Sequence, residues 1–423
     1  MPVVPAIRTA ATMSHDSKPD CGRPYREVRL RGFSDRASLE EATAWVDAHG
    51  GTAAAEEVSV TEAAGRVLAA PIHATSNLPP FDSANTDGYA LRSGETVGAG
   101  DYNPLLFSIQ TADHPLSPTA SALVFAGMPL PKGADTVLPF EASRVNGSTL
   151  EVYRAVAEGV GVERKGQQIA AGDTLFDGRK IVLPQNVGLL ASAGVERLMV
   201  IRRPRVRLVT AGAKPSLNVP TSDADGPMLC ALVMRDGGIV ESVTSRAEGQ
   251  AAIRRAIAAP GADVILVAGR TATGVDDEAP LALAEIGQVA IHGIALRPGG
   301  SAAMGLVAAV PVLLLPGDPL ACFCAYELFA GRLIRRMGGL TPELPYALCE
   351  AEVRRKIVSA AGVVDFCQVR FADGGVEPVG SVEAGGLASA ARADGFLLIP
   401  APLEGYAPGA RVSVYLYEKA PGS

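Results

Sequence analysis

Leu78-Pro79-Pro80-Phe81-Asp82-Ser83-Ala84-Asn85-Thr86-Asp87-Gly88-Tyr89-Ala90-Leu91-Arg92 is the stretch on which the reading of this chain turns. Two prolines hold φ near −65° and lack backbone donors, so the segment enters as a rigid extended arm. A polar run with two carboxylates follows, and Asp87-Gly88 signals a turn before the apolar Tyr89-Ala90-Leu91. Taken alone, this is a Pro/Asp/Gly loop leading into a strand. Its meaning comes from what lies around it.

Outward from that segment, residues 78 to about 155 are rich in Pro, Gly and short alternating runs such as Ala122–Phe125 and Thr136–Leu138, the texture of a small β-domain. On its N-terminal side, Ser38 followed by Leu39-Glu40-Glu41 and apolar residues at helical spacing predicts a capped helix. Residues before about 35 show no period and predict a loosely ordered arm. A second helix is expected from Pro184, with Gly194 closing it. From Arg205 the texture changes. Strand-like Val206–Thr210, Ile239–Val243, Asp263–Val267 and Val312–Leu315 alternate with helix-like Met228–Arg235, Gln250–Ala258, Ala279–Glu285 and Leu320–Met337. Such alternation predicts a mostly parallel sheet covered on both faces. Short strands return from about Leu344 to Tyr417 and suggest a terminal β-barrel or sandwich.

The 423 residues exceed what one core usually organises, so several domains are expected. Hydrophobic residues make up 48% and mean hydropathy is +0.20, which excludes general disorder. A formal charge of −7 argues against a nucleic-acid scaffold. Arginines cluster at 202–207 and 353–356, which the charge pattern reads as solvated faces, with local anion sites as the other reading. The six cysteines form no C-x-x-C and the five histidines no H-E-x-x-H, so reduced thiols in a cytoplasmic protein are expected. The run Ala302–Leu315 is too short to span a bilayer, and no membrane association is expected.

Ligands in an open α/β sheet bind beyond the carboxyl ends of the strands. Three of the expected strands end there in small-residue turns: Ala211-Gly212-Ala213-Lys214, Gly269-Arg270-Thr271-Ala272-Thr273-Gly274 and Pro316-Gly317-Asp318-Pro319. Glycine lets backbone approach a phosphate, and a helix start offers free N–H groups. No Walker sequence is present, and three such turns in one sheet point to a ligand site more strongly than any one of them.

The opening segment resembles the "PxFDxSxxDGYAxR" signature of the molybdenum insertase family, which comprises molybdopterin molybdenumtransferase (MoeA) and the E domain of gephyrin. Gly127-Met128-Pro129-Leu130-Pro131-Lys132-Gly133-Ala134-Asp135-Thr136-Val137 followed by Glu141 is similar to the family's "G-x-P-x-P-x-G-A-D-x-V…E". Arg164-Lys165-Gly166 and Gly172-Asp173, then Gly269…Gly274 with Asp277, Leu296-Arg297-Pro298-Gly299, Leu315-Pro316-Gly317-Asp318-Pro319 and Asp365-Phe366 follow in the family's order.

The resemblance implies a multidomain α/β and β fold. After the N-terminal arm (1–35) that composition already suggests, its four parts would be an elongated, largely helical linker domain (36–77 with 156–202), an inserted β-domain (78–155), a MogA-like doubly wound α/β domain (203–340) and a C-terminal β-barrel (341–423). It further implies a homodimer with the active cleft between protomers, and a reaction in molybdenum cofactor biosynthesis. In that reaction adenylylated molybdopterin and molybdate react with a divalent metal, the pyrophosphate is cleaved, AMP leaves, and molybdenum stays on the dithiolene. A MogA-like adenylyltransferase and a recipient molybdoenzyme are the implied partners. Carried over residue by residue, Asp87, Glu141 and Asp277 become catalytic candidates, Asp277 also the metal ligand. Gly212, Lys214, Asp223, Gly269, Arg270, Thr271, Gly274, Arg297, Pro298, Gly299, Pro316, Gly317 and Asp318 become candidates for binding molybdopterin or its adenylylated form.

The departures from the family pattern fall on the chemistry. Ala213 and Lys214 stand where the family's T-G-D-E-L has its two carboxylates, and Arg270 is a new cation in the second loop. Gly300 replaces the second lysine of K-P-G-K-P, Ala126 and Gln167-Gln168 replace other polar positions, and Val363-Val364 stand where an arginine precedes "DF". Asp87, Glu141, Asp223 and Asp277 remain. Two readings follow: a divergent insertase, with Mg²⁺ as its metal, or a paralogue that binds pterin phosphates through Lys214 and Arg270 without a metal and acts as a cofactor carrier or assembly partner.

Overall fold

The computed structural model describes residues 25–212, 223–380 and 386–418. They fall into two compact units. One is Gly51–Arg203 with Arg335–Thr341; the other comprises the described parts of Met1–Gly50, Pro204–Ile334 and Pro342–Ser423.

In the first unit the opening segment lies inside a six-stranded sheet. Gly88–Leu91 pairs antiparallel with Ala120–Val124 on one side and Thr136–Pro139 on the other. Leu105–Gln110, Thr149–Val152 and Ser143–Asn146 complete the sheet beyond Ala120–Val124. Alternate strand residues point to opposite faces. Tyr89 and Leu91 therefore enter one core with Phe107, Leu138, Leu150 and Val152. Ala90 joins the opposite core with Ala84, Val124, Val137 and Val162. The same unit holds the helix Pro184–Ser192, with proline in its first turn. Two short antiparallel pairs accompany it, Ala55–Ser59 with Arg197–Ile201 and Ile72–His73 with Thr174–Phe176. Leu68, Val182, Leu190, Leu198 and Val200 form their shared core.

The second unit is built on strands β1 (Arg205–Ala211), β2 (Ile239–Ala247), β3 (Val264–Ala268), β4 (Gln288–His292), β5 (Ala303–Val307) and β6 (Val310–Leu315), in the order β2-β1-β3-β6-β5-β4. β2, β1, β3 and β6 pair in parallel, as the alternation predicts, whereas β5 pairs antiparallel with β6 on one side and with β4 at the edge on the other. Neither β5 nor β4 is announced by its sequence. β5 and β6 are joined by the two-residue turn Ala308-Ala309, both residues at positive φ (46° and 69°), a conformation usually marked by Asn-Gly. Helices α1 (Asp225–Arg235), α2 (Gly249–Ala258), α3 (Ala279–Ile286) and α4 (Pro319–Ala325) cover the sheet, and α4 continues into a π-helical turn, Tyr326–Ala330. Ile253 and Ile257 of α2 and Leu283 of α3 pack on Val209, Ile265, Val267, Val312 and Leu314.

Leu296–Arg297 leaves this domain to pair in parallel with Val364–Ala372, placing Arg297 directly opposite Asp365. Gly395–Ile399, Arg411–Leu416 and Ala347–Glu352 follow in order, a curled sheet in which Val364–Ala372 also pairs Gly375–Pro378. Val369, Leu397, Ile399, Val412 and Val414 form its buried core.

The helix Leu39–His49 begins as its sequence predicts. The Ser38 hydroxyl accepts from the Glu41 N–H at 3.1 Å while Glu41 Oε2 accepts from the Ser38 N–H at 2.7 Å. The expectation of a loose arm before residue 36 fails for its described part. Residues 25–37 are tied to the α/β domain by Tyr25, Arg29, Leu30 and Ala37. No described helix is long and apolar enough to cross a membrane.

Candidate ligand site at the sheet edge

Because β1, β3 and β6 are adjacent and parallel, their carboxyl ends share one edge. The loops after β3 and β6 touch there. The Gly269 N–H donates to the Leu315 carbonyl at 2.9 Å. A side chain on Gly317 would place its Cβ 3.0 Å from the Gly269 Cα. Gly269 has φ +96°, and a Cβ there would lie 2.3 Å from the Ala211 carbonyl oxygen at the end of β1. Glycine is therefore a steric requirement of the place where the three loops meet.

The acidic residues of these loops close their own turns. Asp277 Oδ2 accepts from the Gly274 N–H at 2.6 Å, and Asp318 caps α4 by accepting from the Ala321 N–H at 2.9 Å. Asp223 accepts from the Thr210 hydroxyl at 2.9 Å and from the Gly226 N–H at 3.0 Å, so both oxygens are used in holding the start of α1. Asp225, which the sequence reading passed over, is the odd one. Its Oδ1 is buried without a hydrogen-bond partner. Burial, then repulsion from Asp223 and Asp318, pushes its pKa up to about 6.

That shift fixes a stability prediction. A carboxyl whose folded-state pKa is raised favours folding while protonated, and loses that contribution as pH rises through about 6. The full shift corresponds to about 3 kcal/mol, which screening at a partly exposed group reduces to roughly 1 kcal/mol. Asp225→Asn is therefore expected to raise the unfolding midpoint at pH 8 and to leave it nearly unchanged at pH 4. A variant less stable than the parent at pH 8 contradicts this account of Asp225.

Two expected ligand contacts already have partners within the fold. The Arg270 guanidinium pairs with the exposed Asp276 at 3.1 Å and also reaches the Asp276 carbonyl, so a phosphate there would compete with a surface ion pair. Thr271 is turned inward and 1% exposed, its hydroxyl against Ser301 at 3.3 Å, so any ligand contact from it must come from backbone. Gly212 directly follows β1, whereas Ala213 and Lys214 lie outside the described residues.

Arg297 is held by Asp365 in a bidentate pair, Nε to Oδ1 at 2.6 Å and Nη2 to Oδ2 at 2.5 Å, and the Arg297–Pro298 peptide is cis. Asp365 is fully buried and also accepts from the Ser359 hydroxyl. The aspartate of the "DF" dipeptide thus orients the cation of the "RPG" turn. A cavity of about 420 Å³ opens beside it, lined by Arg297, Pro298, Leu320, Arg355, Lys356 and Phe366. Arg355 and Lys356 belong to the cluster that charge alone reads as a solvated face. Both are exposed, as that reading has it, and Arg355 Nη2 donates to the Pro378 carbonyl at 2.6 Å; they also line the mouth of a cavity that Leu320, one residue into α4, shares.

Asp87 and Glu141 sit on the first unit, both exposed. Asp87 Oδ1 accepts from the Ala126 N–H at 2.8 Å. Glu141 lies in the turn Phe140–Ala142. Asp82 of the same segment accepts from the Lys165 N–H and from Arg164, which together hold its pKa below the usual carboxylate range.

Family models match most of the chain. They are the MoeA N-terminal region (domain I and II) over residues 37–194, a probable molybdopterin binding domain over 208–336, and the MoeA C-terminal region (domain IV) over 350–417. Molybdopterin molybdenumtransferase 2 of Mycobacterium tuberculosis is 30% identical over 306 residues, 67% of this chain and 75% of that protein. The chain belongs to the MoeA family. A putative molybdopterin biosynthesis protein of Methanocaldococcus jannaschii is 29% identical over 85% of this chain and 92% of its own length. The solved MoeA structure from Pyrococcus horikoshii superposes with a TM-score of 0.74 at 27% identity, covering 91% of this chain and all of that one. As a MoeA-family protein, the chain acts in molybdenum cofactor biosynthesis, and its fold is that of MoeA.

Proposed function

We propose that this chain is a molybdenum insertase whose substrates are adenylylated molybdopterin and molybdate. The observation that carries the reading is the meeting of the Gly269 and Gly317 loops at the sheet edge, with Leu320 leading from the second loop into a cavity lined by Arg297, Arg355 and Lys356. Backbone packed this closely suits a pyrophosphate, and Arg355 and Lys356, beside an Arg297 whose charge Asp365 already balances, suit an anion such as molybdate. In the proposed reaction the dithiol gives its two protons to one molybdate oxide, which leaves as water as two Mo–S bonds form. Water cleaves the pyrophosphate and releases AMP.

Among the described residues no three His, Cys, Asp or Glu side chains form a cluster able to hold a metal ion. Mg²⁺ commonly takes one or two carboxylates and completes its shell with water and phosphate, and the hard oxygen donors here fit that use. Asp277 is the residue that would hold it, since its Oδ2 is engaged with Gly274 and its Oδ1 remains. Bound there, Mg²⁺ would offset the charge of the pyrophosphate. Asp87 and Glu141 are proposed as further catalytic carboxylates.

The metal-free carrier reading rested on Lys214 and Arg270. The first lies outside the described residues and the second is paired with Asp276, so no observation favours that reading. A cytoplasmic homodimer burying more than about 1,000 Å² belongs to the proposal, as do an adenylyltransferase upstream and a molybdoenzyme downstream.

The test is the dependence of AMP release on molybdate. Replacing both Arg355 and Lys356 by alanine is expected to raise the molybdate concentration for half-maximal release roughly tenfold, with little change in affinity for the adenylylated pterin. Equal molybdate dependence in variant and parent would remove the cavity from the mechanism.

A further inference from the structure

Three carbonyls of the loop after β3 are each taken by a donor from outside it. The His292 Nε2–H donates to the Thr271 carbonyl at 2.8 Å. The Leu30 N–H donates to the Thr273 carbonyl at 2.8 Å, and Arg29 Nη1 donates to the Val275 carbonyl at 2.9 Å. A carbonyl can only accept, so Nε2 carries a proton, and in the neutral ring that burial favours Nδ1 is bare. The Tyr25 hydroxyl must then donate to Nδ1, at 2.9 Å.

The donors Tyr25, Arg29 and Leu30 lie on one short segment, and its anchorage is independent of the loop. Phe33 packs edge-on against the His292 ring at 5.0 Å and 89°. Ala37 exchanges backbone hydrogen bonds with Gly293 and Ala295. Burial lowers the pKa of His292 and raises that of Tyr25 to about 12, which keeps the pair neutral and in this tautomer at physiological pH. Residues 25–36 precede the first stretch matched by a MoeA model, which begins at residue 37.

We propose that residues 25–33 and His292 form a brace that fixes the Gly269–Asp277 loop in its anion-binding shape, with His292 as a positioning residue. The physical basis is twofold. The brace removes conformational freedom from a loop that is otherwise irregular backbone, so less ordering remains to be done when a ligand binds. It also engages three carbonyl dipoles whose negative ends would repel an approaching phosphate, one of them with a guanidinium. The inference rests on the proposed placement of the adenylylated pterin's pyrophosphate at this loop.

The experiment uses the full chain, with His292→Leu, His292→Gln and Tyr25→Phe. Hydrogen exchange at amides 271–277 reads the loop directly, and AMP release from adenylylated molybdopterin separates KM from kcat. In His292→Leu, exchange in the loop and KM for the adenylylated pterin are each expected to rise about fivefold, the factor one net hydrogen bond carries, with kcat within about twofold. His292→Gln, which keeps an N–H donor, should restore most of both. Tyr25→Phe should loosen the loop to a lesser degree and keeps the test available if His292→Leu does not fold. Unchanged loop exchange in His292→Leu and Tyr25→Phe, or no restoration by glutamine, overturns the brace. Faster exchange with an unchanged KM supports the brace but overturns the placement of the ligand at this loop.

Discussion

Gly269→Ala is expected to destabilise the α/β domain by about 2–5 kcal/mol and to abolish binding of the adenylylated pterin. Two separate costs add. An L-residue at φ +96° pays about 1–2 kcal/mol for left-handed backbone. The new methyl would also lie 2.3 Å from the Ala211 carbonyl oxygen, and backbone cannot yield as a flexible side chain would. Forced overpacking of this kind typically costs a further 1–3 kcal/mol. Relief requires β1 and β3 to part at their carboxyl ends, which separates the loops that form the site. Gly94→Ala is the control: nothing lies within 4 Å of its would-be Cβ, and its backbone is not left-handed. Urea unfolding should show the first variant far below the parent and the control within about 0.5 kcal/mol of it. A stable Gly269→Ala protein that still binds the pterin would show that the loops do not need this contact.

Arg297→Met should cost about 3–5 kcal/mol, because it strands a carboxylate that the fold has removed from water. Asp365 is wholly buried and meets the guanidinium through two short parallel bonds. Methionine fills the space but leaves the charge with only the Ser359 hydroxyl and whatever the site can rearrange. Two comparisons separate loss of the pair from loss of packing. Arg297→Lys should fall between parent and methionine, since an ammonium cannot make the planar two-point contact. The double variant Arg297→Met with Asp365→Leu should recover most of the loss, since no buried charge remains to be satisfied. If Arg297→Met unfolds within about 1 kcal/mol of the parent, Asp365 is not anchoring this turn.

What the sequence made legible follows the range of its signals. Ser38 with Glu41, and Pro184 in a first turn, are local rules acting over three or four residues, and both helices begin where those rules put them. The parallel strands were legible because each is a short apolar run followed by a helical period. The antiparallel edge was not. Ala308-Ala309 makes a tight turn at positive φ without the glycine or asparagine that normally announces one, and Ala302–Leu315 therefore reads as one apolar run.

The candidate site divides the same way. Glycines at strand ends reveal their role because close backbone approach leaves a compositional mark. Partners distant in sequence leave none. Nothing in the letters says that Asp276 neutralises Arg270, that Thr271 faces inward onto Ser301, or that the aspartate of "DF" grips Arg297. Charge density reads Arg355 and Lys356 as a solvated face, and both are exposed, but it does not show the cavity they also line, which exists only once Leu296–Arg297 has paired with Val364–Ala372. His292 was one scattered histidine until the fold set it between Tyr25 and Thr271.

The insertase reading is tested most directly by mixing the parent protein with adenylylated molybdopterin and Mg²⁺ and following AMP release with and without molybdate. The account predicts release that depends on molybdate and saturates with it, accompanied by molybdenum bound to the pterin dithiolene. Tight binding of the adenylylated pterin with no AMP release at any molybdate concentration would contradict it and would make the chain a carrier.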